Sequence, residues 1–429
     1  MTRRVERYVF FFLPAALEAV PAGRLTLFEE GYRTLDSQFV YGRRYRERPQ
    51  ALPVDPLSLP LASPDAAAER SPVNGLALFG ALRDATPDAW GRRVIENRLR
   101  APPNSLAESV YLEHAGPHRA GALDVRASLD SEPPASVLPG STDLDYLLDT
   151  AARIEDGEPV PAHLAALFSG GPSVGGARPK SVVVHDGRQW IAKFPSRDDH
   201  FDVPLIEYAT LELARAAGLD VPPTQLHALP GRRHVMLIER FDRVPTPGGL
   251  GRRHMVSALT LLGLPESASP DASYAQIGQA IAQWGAGGHV ASDNAELFAR
   301  LAFNILVSND DDHLRNHAFL YDAANAGWRL SPLYDVVPKP QIATERYLHL
   351  GVGPQGRLAR LDNACDGAGQ FGLTREAAAA IVDRVVATVR TWRDVFEAAG
   401  ATPRECDRIE SAFRRADDVG MRSIAKYLR

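Results

Sequence analysis

The chain has 429 residues, of which 45% are hydrophobic and 24% are charged, and its formal net charge at pH 7 is -5. This length is too great for one ordinary hydrophobic core, so we expect two or three domains or lobes. The negative balance excludes a protein that is drawn to nucleic acid by an overall basic charge.

Cysteine usage and the N-terminus indicate the compartment. Cys365 and Cys406 are too few and too far apart for a disulfide framework or a zinc site, which favours a reducing environment. Arginines followed by an apolar run imitate a secretory signal at the N-terminus, but Pro14 and Glu18 interrupt the run. No stretch reaches the roughly 18 apolar residues that a membrane helix needs. We therefore predict a soluble, cytoplasmic protein without a membrane partner.

The first part of the chain mixes strand-like runs with helix and loop. A helix is predicted to start at Thr86, as its cap, with Pro87 at its first helical position. The stretch 128–143 has the composition of a loop, and we take it as a boundary. These features predict a mixed α/β domain over residues 1–135. Its predicted strands lie at residues 8–13, 24–31 and 37–42.

A glycine-rich loop opens the second part. Its sequence, SGGPSVGGARPK, covers residues 169–180 and leads into the apolar runs SVVV and WIAKF, which are joined through Asp186 and Gly187. An Asp-Gly pair between such runs predicts an antiparallel hairpin. We predict a sheet-containing lobe over residues 136–245. Its further predicted elements are a helix from Pro204 to about Gly218 and a strand at 235–238 that runs out into charged chain at Glu239.

The third part is mainly helical, and we predict a helical lobe over residues 246–429. Leu297, Leu301 and Ile305 recur every four residues, which places one apolar stripe on a helix. The predicted elements are this helix from about Ser292, a second hairpin whose returning strand ends at Tyr334 and Asp335, and an amphipathic helix over 374–400 with a cap at each end.

The first of these helices runs into the segment SNDDDHLRN, residues 308–316. Asp311 stands five residues before Asn316, which is the spacing between the base and the metal-binding asparagine of a kinase catalytic loop. Asp310 and Asp312 are then turn-forming neighbours that orient the loop through backbone hydrogen bonds. A calcium loop is excluded, because the segment lacks the required glycine and the closing glutamate. A plain capping turn remains open for this segment taken by itself.

Lysine is rare in this chain, because only four of the 48 basic residues are lysines. Where arginine is so strongly preferred, a lysine indicates a position that needs a compact ammonium, although drift is the alternative. Lys193 lies among apolar neighbours, which favours an interior ammonium with a phosphate partner over one at a strand edge. Glu207 on the next helix could hold Lys193 in an ion pair, or could only interact with the positive end of its own helix.

The order of these parts matches what phosphoryl transfer from ATP requires. Backbone amides of a glycine loop can approach phosphate oxygens, and a nearby lysine neutralises phosphate charge. Magnesium takes hard oxygen ligands such as carboxylates and amides. The attacking hydroxyl needs a carboxylate beside it.

Together these motifs resemble the HipA family of serine/threonine kinases, the toxins of bacterial toxin–antitoxin pairs. The resemblance covers essentially the whole chain, since GRLTLFEEGYRTLDSQFVYG, LRDATPDAWGRRVIENRL and HRAGALDV in the first part also match. It implies an α+β, protein-kinase-like two-lobed fold of the HipA type, with an N-terminal mixed α/β domain and a mainly helical C-terminal lobe. The motifs of the second and third parts that carry the resemblance are, in this order, SVGGARPK, the lysine strand, LIERFDR, NDDDHLRN and LYDVVP.

The resemblance also implies roles for individual residues. Asp311 would be the general base, and Lys193 would hold the ATP phosphates with Glu207 as its ion-pair partner. Asn316 and Asp335 would bind magnesium. Ser173 sits where the family has an autophosphorylated serine, and a phosphate there would repel ATP. The other implied nucleotide contacts are Gly175, Gly176, Ala177 and Lys180 at the triphosphate, Glu239 and Phe241 at adenine, and His313 and Tyr334 in the pocket.

The expected activity is that of an ATP- and Mg²⁺-dependent serine/threonine protein kinase. By resemblance, its protein substrate would be of the aminoacyl-tRNA synthetase type, and its partner a HipB-like helix-turn-helix antitoxin that makes most DNA contacts. Two alternatives remain open: a small-molecule phosphotransferase of kinase-like fold, and a co-repressor that binds the antitoxin without catalysis.

Overall fold

The structure is a computed structural model of the chain, and it describes residues 2–61, 67–132, 138–161, 164–165, 167–168, 176–231 and 233–428. The chain packs into two compact units. The first consists of residues 1–197 and 237–264, and the second of residues 198–236 and 265–429. The predicted division at residues 135 and 245 stays a prediction. Each helix in the described part of the chain is too short or too polar to cross a lipid bilayer.

A four-stranded antiparallel sheet forms the N-terminal part of the first unit. Successive residues of a strand point to opposite faces, so Val9 and Phe11 lie on one face of the sheet and Phe10 on the other. All three are buried, so this end of strand Arg3–Phe12 is covered on both faces. The strands predicted at 24–31 and 37–42 are confirmed, and they pair antiparallel with Leu25 opposite Phe39. The strands, in their order across the sheet, are Arg33–Tyr41, Ala19–Glu30, Arg3–Phe12 and Leu123–Arg126.

Short helices accompany this sheet in the first unit. The helix predicted from Thr86 begins at Ala89 instead, because the Asp88 side chain caps it by accepting a hydrogen bond from the Gly91 amide. Trp90 in its first turn is fully buried. Among the described residues of this unit, the α-helices are Arg43–Arg46, Gly80–Asp84, Ala89–Leu99, Glu108–His114, Leu144–Glu155 and Ala258–Leu261, and the 3₁₀ turns are Val73–Gly75 and Ser141–Asp143.

The predicted lysine hairpin is confirmed in the first unit. Strands Lys180–His185 and Arg188–Lys193 pair antiparallel, with Lys180 opposite Lys193. Their turn has positive φ at Asp186 and Gly187, as a tight two-residue hairpin turn requires. The last residues of strand Arg233–Glu239 lie beside the second arm of this hairpin. The short strands Arg243–Thr246, Gly249–Arg252 and Met255–Ser257 follow and precede the last helix of the unit.

The second unit is built around helix Val290–Val307, which is buried continuously from Leu297 to Val307. The predicted helix at Pro204 is confirmed as Val203–Ala216, capped by Asp202. The other α-helices of this unit are Tyr274–Trp284, Leu361–Asp366, Arg375–Val389, Trp392–Ala398, Pro403–Ile409 and Met421–Ile424. Its strands are Thr224–Leu229, Ala318–Asp322 and Gly327–Leu330. Its 3₁₀ turns are Glu266–Asp271, Leu314–Asn316, Ala368–Phe371, Glu410–Ala412, Ala416–Val419 and Ala425–Tyr427.

The prediction of one long helix over 374–400 is wrong, because two helices occupy this stretch. Thr374 does cap it, but the helix ends at Val389 and a second one starts at Trp392. The break lets the Trp392 ring stack on Phe413, with ring centroids 4.0 Å apart and ring planes 2° from parallel. A large aromatic contact of this kind can outweigh the cost of interrupting a helix.

Candidate active site

The predicted catalytic loop follows the central helix of the second unit. The helix ends at Ser308, whose φ of 53° is left-handed, so the chain leaves the helix axis there. The Ser308 hydroxyl donates a 2.6 Å hydrogen bond to the carbonyl of Ala412, and Arg346 donates to the same hydroxyl at 2.5 Å. The start of the loop is therefore fixed from two other segments of this unit.

Asp311 and Asn316 face different surroundings within the loop. The Asp311 carboxylate is exposed, whereas its backbone carbonyl accepts hydrogen bonds from the His313 amide at 2.9 Å and the Asn316 side-chain amide at 3.2 Å. Asn316 is only 3% exposed, and its Oδ1 is buried without a hydrogen-bond partner among the described residues. A buried amide oxygen left without a partner is costly unless a ligand completes it.

Asp312 does not behave as the predicted turn-former. It is buried, and its Oδ2 accepts hydrogen bonds from the Tyr274 hydroxyl, from Asn304 at 2.9 Å and from His317 at 2.9 Å. Burial by itself raises the pKa of Asp312, but the His317 imidazole and the Tyr274 hydroxyl outweigh burial and hold that pKa below its usual value. The loop between Asp311 and Asn316 is thus attached to the core through a buried carboxylate.

Replacing this carboxylate should produce a pH-dependent loss of stability. We expect Asp312→Asn to lower the free energy of unfolding at pH 7 by about 2 kcal/mol, the scale of a hydrogen bond to a charged group. Since the folded-state pKa is depressed, this contribution is present at neutral pH and is lost as the pH falls below about 4. Urea unfolding of both proteins between pH 7 and pH 3 measures the difference. A difference that stays constant over that range would contradict the assignment.

Asp310 also differs from its prediction, because its partners are side chains and not the backbone groups of the loop. Its carboxylate lies 3.0 Å from the Lys339 ammonium and accepts a 2.7 Å hydrogen bond from Gln341. These two residues follow Asp335 in the chain. The first aspartate of the run therefore connects the predicted catalytic loop to the segment that follows the predicted magnesium ligand.

Tyr334 and Asp335 lie beyond the hairpin rather than at the end of its returning strand, which stops at Leu330. The Tyr334 hydroxyl donates a 2.6 Å hydrogen bond to the carbonyl of Arg315, inside the predicted catalytic loop. Asp335 has a φ of 59°, a left-handed conformation that is uncommon for residues other than glycine, although aspartate tolerates it better than most. Such outliers concentrate at functional sites.

His313 is half-buried in the same loop, and its Nδ1 is without a hydrogen-bond partner in the described part of the chain. Its ring lies 5.9 Å from that of His349. Glu207 is 2% exposed within helix Val203–Ala216 of the second unit. If Glu207 only interacted with the positive end of its own helix, its side chain would not need to be buried. The nucleotide contact of His313 and the ion pair of Glu207 stay predictions.

The remaining predicted contacts belong to the first unit. Ser173 and Gly175 lie outside the described residues. Gly176 and Ala177 are exposed, and Lys193 is half-buried at the end of its strand. Phe241 is half-buried as well, and Glu239 forms a 2.7 Å ion pair with Arg188. Their roles toward a nucleotide stay predictions.

Lys180 is engaged inside the protein, and its contact with the triphosphate stays a prediction. It is 4% exposed, and its ammonium lies 2.6 Å from the carboxylate of Asp88. Asp88 was not among the site residues predicted from the sequence. The only local sign of its importance is the sequence Thr-Pro-Asp at a helix start, which also fits an ordinary cap.

Magnesium would find few protein ligands here, as is usual for this ion in kinases. No group of three or more His, Cys, Asp or Glu side chains suited to a metal ion occurs among the residues that the structure describes. A kinase-type site needs only one or two protein oxygens, because phosphates and water supply the others. The unpartnered Oδ1 of Asn316 fits that requirement.

Comparison with known sequences decides the family. A sequence profile of the HipA-like C-terminal domain matches residues 172–393, slightly more than half of the 429 residues. The chain belongs to the HipA family. The family predicted from the sequence is thereby confirmed, although the profile itself describes only the C-terminal domain.

Two proteins of Sinorhizobium fredii (strain NBRC 101917 / NGR234), provisionally named kinases, resemble this HipA-family chain. Y4mE is 28% identical over 357 residues, which is 76% of this chain and 78% of Y4mE. Y4dM is 30% identical over 227 residues, which is 49% of this chain and 52% of Y4dM. The match therefore spans about half the length of Y4dM.

The fold has a solved counterpart. A chain from the Shewanella oneidensis MR-1 toxin–antitoxin complex of HipA, HipB and operator DNA superposes with a TM-score of 0.66 at 18% identity, over 98% of this chain and 97% of that one. At this identity the likeness concerns the fold. The predicted α+β, protein-kinase-like fold of the HipA type is confirmed.

Proposed function

We propose that this HipA-family chain is an ATP- and magnesium-dependent serine/threonine protein kinase. The observation that carries the proposal is the pair Asp311 and Asn316, an exposed carboxylate five residues from a buried amide oxygen that has no partner among the described residues. A base must reach a substrate hydroxyl, and a metal ligand must keep an oxygen available. The two side chains meet these opposite requirements in one short loop.

Asn316 and Asp335 would hold the magnesium ion, which when bound neutralises charge on the phosphates. Asp311 would accept the proton of the attacking serine or threonine hydroxyl and orient its oxygen. Asp312 holds the loop in place from its interior side, and Tyr334 attaches the segment of Asp335 to the carbonyl of Arg315. Lys193 and the glycine-rich loop would contact the ATP phosphates, with Glu207 as the ion-pair partner of Lys193.

The partners are proposed by analogy. The Shewanella counterpart was solved with HipB and operator DNA. We infer that this chain likewise acts as a toxin that assembles with a small helix-turn-helix antitoxin, through which it meets DNA. Its net charge of -5 agrees with leaving most DNA contacts to the partner. The proposed substrate is a protein of the aminoacyl-tRNA synthetase type, and Ser173 is the proposed autophosphorylation site.

Incubating the purified protein with γ-labelled ATP and Mg²⁺ tests the proposal. We expect label on the protein itself, in the peptide that contains Ser173, and none when EDTA removes the metal. Label found only on added small molecules would favour a metabolite phosphotransferase. No transfer to any acceptor, with ATP or antitoxin still bound, would favour a co-repressor. Either result would overturn the proposal.

A further inference from the structure

A buried ion pair joins the N-terminal domain to the end of the glycine-rich loop. The ammonium of Lys180 lies 2.6 Å from Oδ2 of Asp88, and each side chain is 6% exposed. The two residues are 92 positions apart. A short, charge-assisted contact that is shielded from water is stronger and more precise in geometry than a surface ion pair.

Asp88 is at the same time the cap of helix Ala89–Leu99. Its Oδ1 accepts a 2.9 Å hydrogen bond from the Gly91 amide, while its Oδ2 holds Lys180. The indole of Trp90 donates a 2.8 Å hydrogen bond to the carbonyl of Lys180. The Trp90 amide donates a 3.4 Å hydrogen bond to the carbonyl of Gly176. The first turn of one helix therefore contacts both ends of segment 176–180.

Gly176 is shaped to receive the Lys180 ammonium. Its φ is 119°, a conformation that side chains other than hydrogen rarely permit. A Cβ built on Gly176 would lie 2.7 Å from Nζ of Lys180. The ammonium also donates a 3.4 Å hydrogen bond to the Gly176 carbonyl. Segment 176–180 thus closes around its own lysine, and Asp88 holds that lysine.

We propose that Asp88 is a positioning residue that fixes the end of the phosphate-binding loop through Lys180. Lys180 then acts within the protein, in place of the direct triphosphate contact that its sequence position predicts. This inference rests on the proposed function, and it adds a form of regulation. Any partner or modification that moves the start of helix Ala89–Leu99 would change the affinity for ATP.

Substitution of the pair gives the test, with Mg·AMP-PNP affinity measured by calorimetry. We expect Asp88→Asn and Lys180→Met each to weaken binding about tenfold, the loss of one charge-assisted hydrogen bond. The double variant should lose no more than either single variant, because both remove the same contact. It should also recover thermal stability, since no charge is left buried and unpaired. If the ion pair served only to stabilise the fold, the double variant would recover its affinity for the nucleotide together with its thermal stability.

A matched control lies on the same helix. Arg92 and Glu108 form an ion pair of 2.6 Å, which is 28% and 18% exposed and does not involve segment 176–180. Glu108→Gln should leave the affinity unchanged, and Asp88→Glu should restore part of it. Hydrogen exchange should be faster in segment 176–180 of Asp88→Asn but not of Glu108→Gln.

The outcomes separate the two proposals. No nucleotide binding by the unsubstituted protein would overturn the proposed function. Normal binding by the unsubstituted protein and equally by Asp88→Asn would overturn this inference alone. So would a loss in Lys180→Met far larger than that in Asp88→Asn, because Lys180 would then contact the phosphates directly.

Discussion

Asp311→Asn should reduce phosphoryl transfer by about 10²- to 10⁴-fold, the usual contribution of a general base. Asparagine keeps the size of the side chain but cannot take the hydroxyl proton. Folding should be unaffected, because Asp311 is exposed and its hydrogen bonds to described residues of the loop, His313 and Asn316, are made by its backbone carbonyl. Exposed substitutions of this type usually change stability by less than about 0.5 kcal/mol. Initial rates with labelled ATP and thermal unfolding of the same preparations measure both quantities.

The neighbouring aspartate is the matched control for this experiment. Asp310 belongs to the same run but is engaged with Lys339 and Gln341, so Asp310→Asn should retain most of the transfer rate. Growth inhibition by the expressed chain should follow the same order. If Asp311→Asn transferred phosphate normally, or if Asp310→Asn lost as much with its fold intact, the five-residue spacing would have identified the wrong base.

Short sequence patterns were enough to predict several elements of the fold. The Asp-Gly turn predicted the lysine hairpin, because only a few residue pairs adopt the two positive φ angles that it needs. The stripe of Leu297, Leu301 and Ile305 predicted the helix that leads to the catalytic loop, and all three are fully buried. These features depend on neighbours in sequence, so the sequence contains them directly.

Contacts between residues far apart in the chain could not be predicted from such local patterns. Three consecutive aspartates do not reveal which one turns inwards, because Asp312 is recognised by Tyr274, 38 positions away. One sign was present in the sequence. Asn304 is a single amide within the apolar run LAFNILV, and a polar residue at a core position needs a buried partner. It donates to Asp312 at 2.9 Å.

Charge was the least reliable guide. The chain from Glu239 to Arg243 has four charged residues out of five, and charged runs usually lie at the surface. Arg240, Asp242 and Arg243 are instead 2%, 4% and 8% exposed. Opposite charges that satisfy one another can be buried, but sequence alone does not show that their partners will be within reach.

This buried cluster connects the predicted adenine linker to the N-terminal domain. Arg240 donates hydrogen bonds to the carbonyls of His118 at 2.8 Å and Arg119 at 2.9 Å. Arg243 donates to the same Arg119 carbonyl at 2.8 Å. The ion pair of Lys180 with Asp88 is a further connection. Residues 88–121 thus pack in one unit with segment 176–180 and with the predicted adenine linker. These contacts give a physical reason why residues 237–264 group with residues 1–197.

Of the substitutions predicted here, Asp242→Ala should lower the free energy of unfolding the most, by about 3–5 kcal/mol. It leaves two buried guanidinium groups without their anion. The carboxylate lies 2.8 Å from both Arg240 and Arg243, and accepts a 2.8 Å hydrogen bond from the Gly121 amide. Burial raises the pKa of Asp242, but the two arginines outweigh it and hold the pKa below its usual value. The contribution is thus present at neutral pH and is lost only in acid, below about pH 4.

Urea unfolding at pH 7 measures this loss, which is a large share of the roughly 5–15 kcal/mol that stabilises a typical domain. Glu47→Ala is the control, because Glu47 forms a 3.0 Å ion pair with Arg43 in which the side chains are 60% and 83% exposed. Solvent screens such a pair, so its removal should hardly move the unfolding midpoint. Equal midpoints for the two variants would mean that the cluster is hydrated in solution, and that Asp242 does not hold the linker to the N-terminal domain.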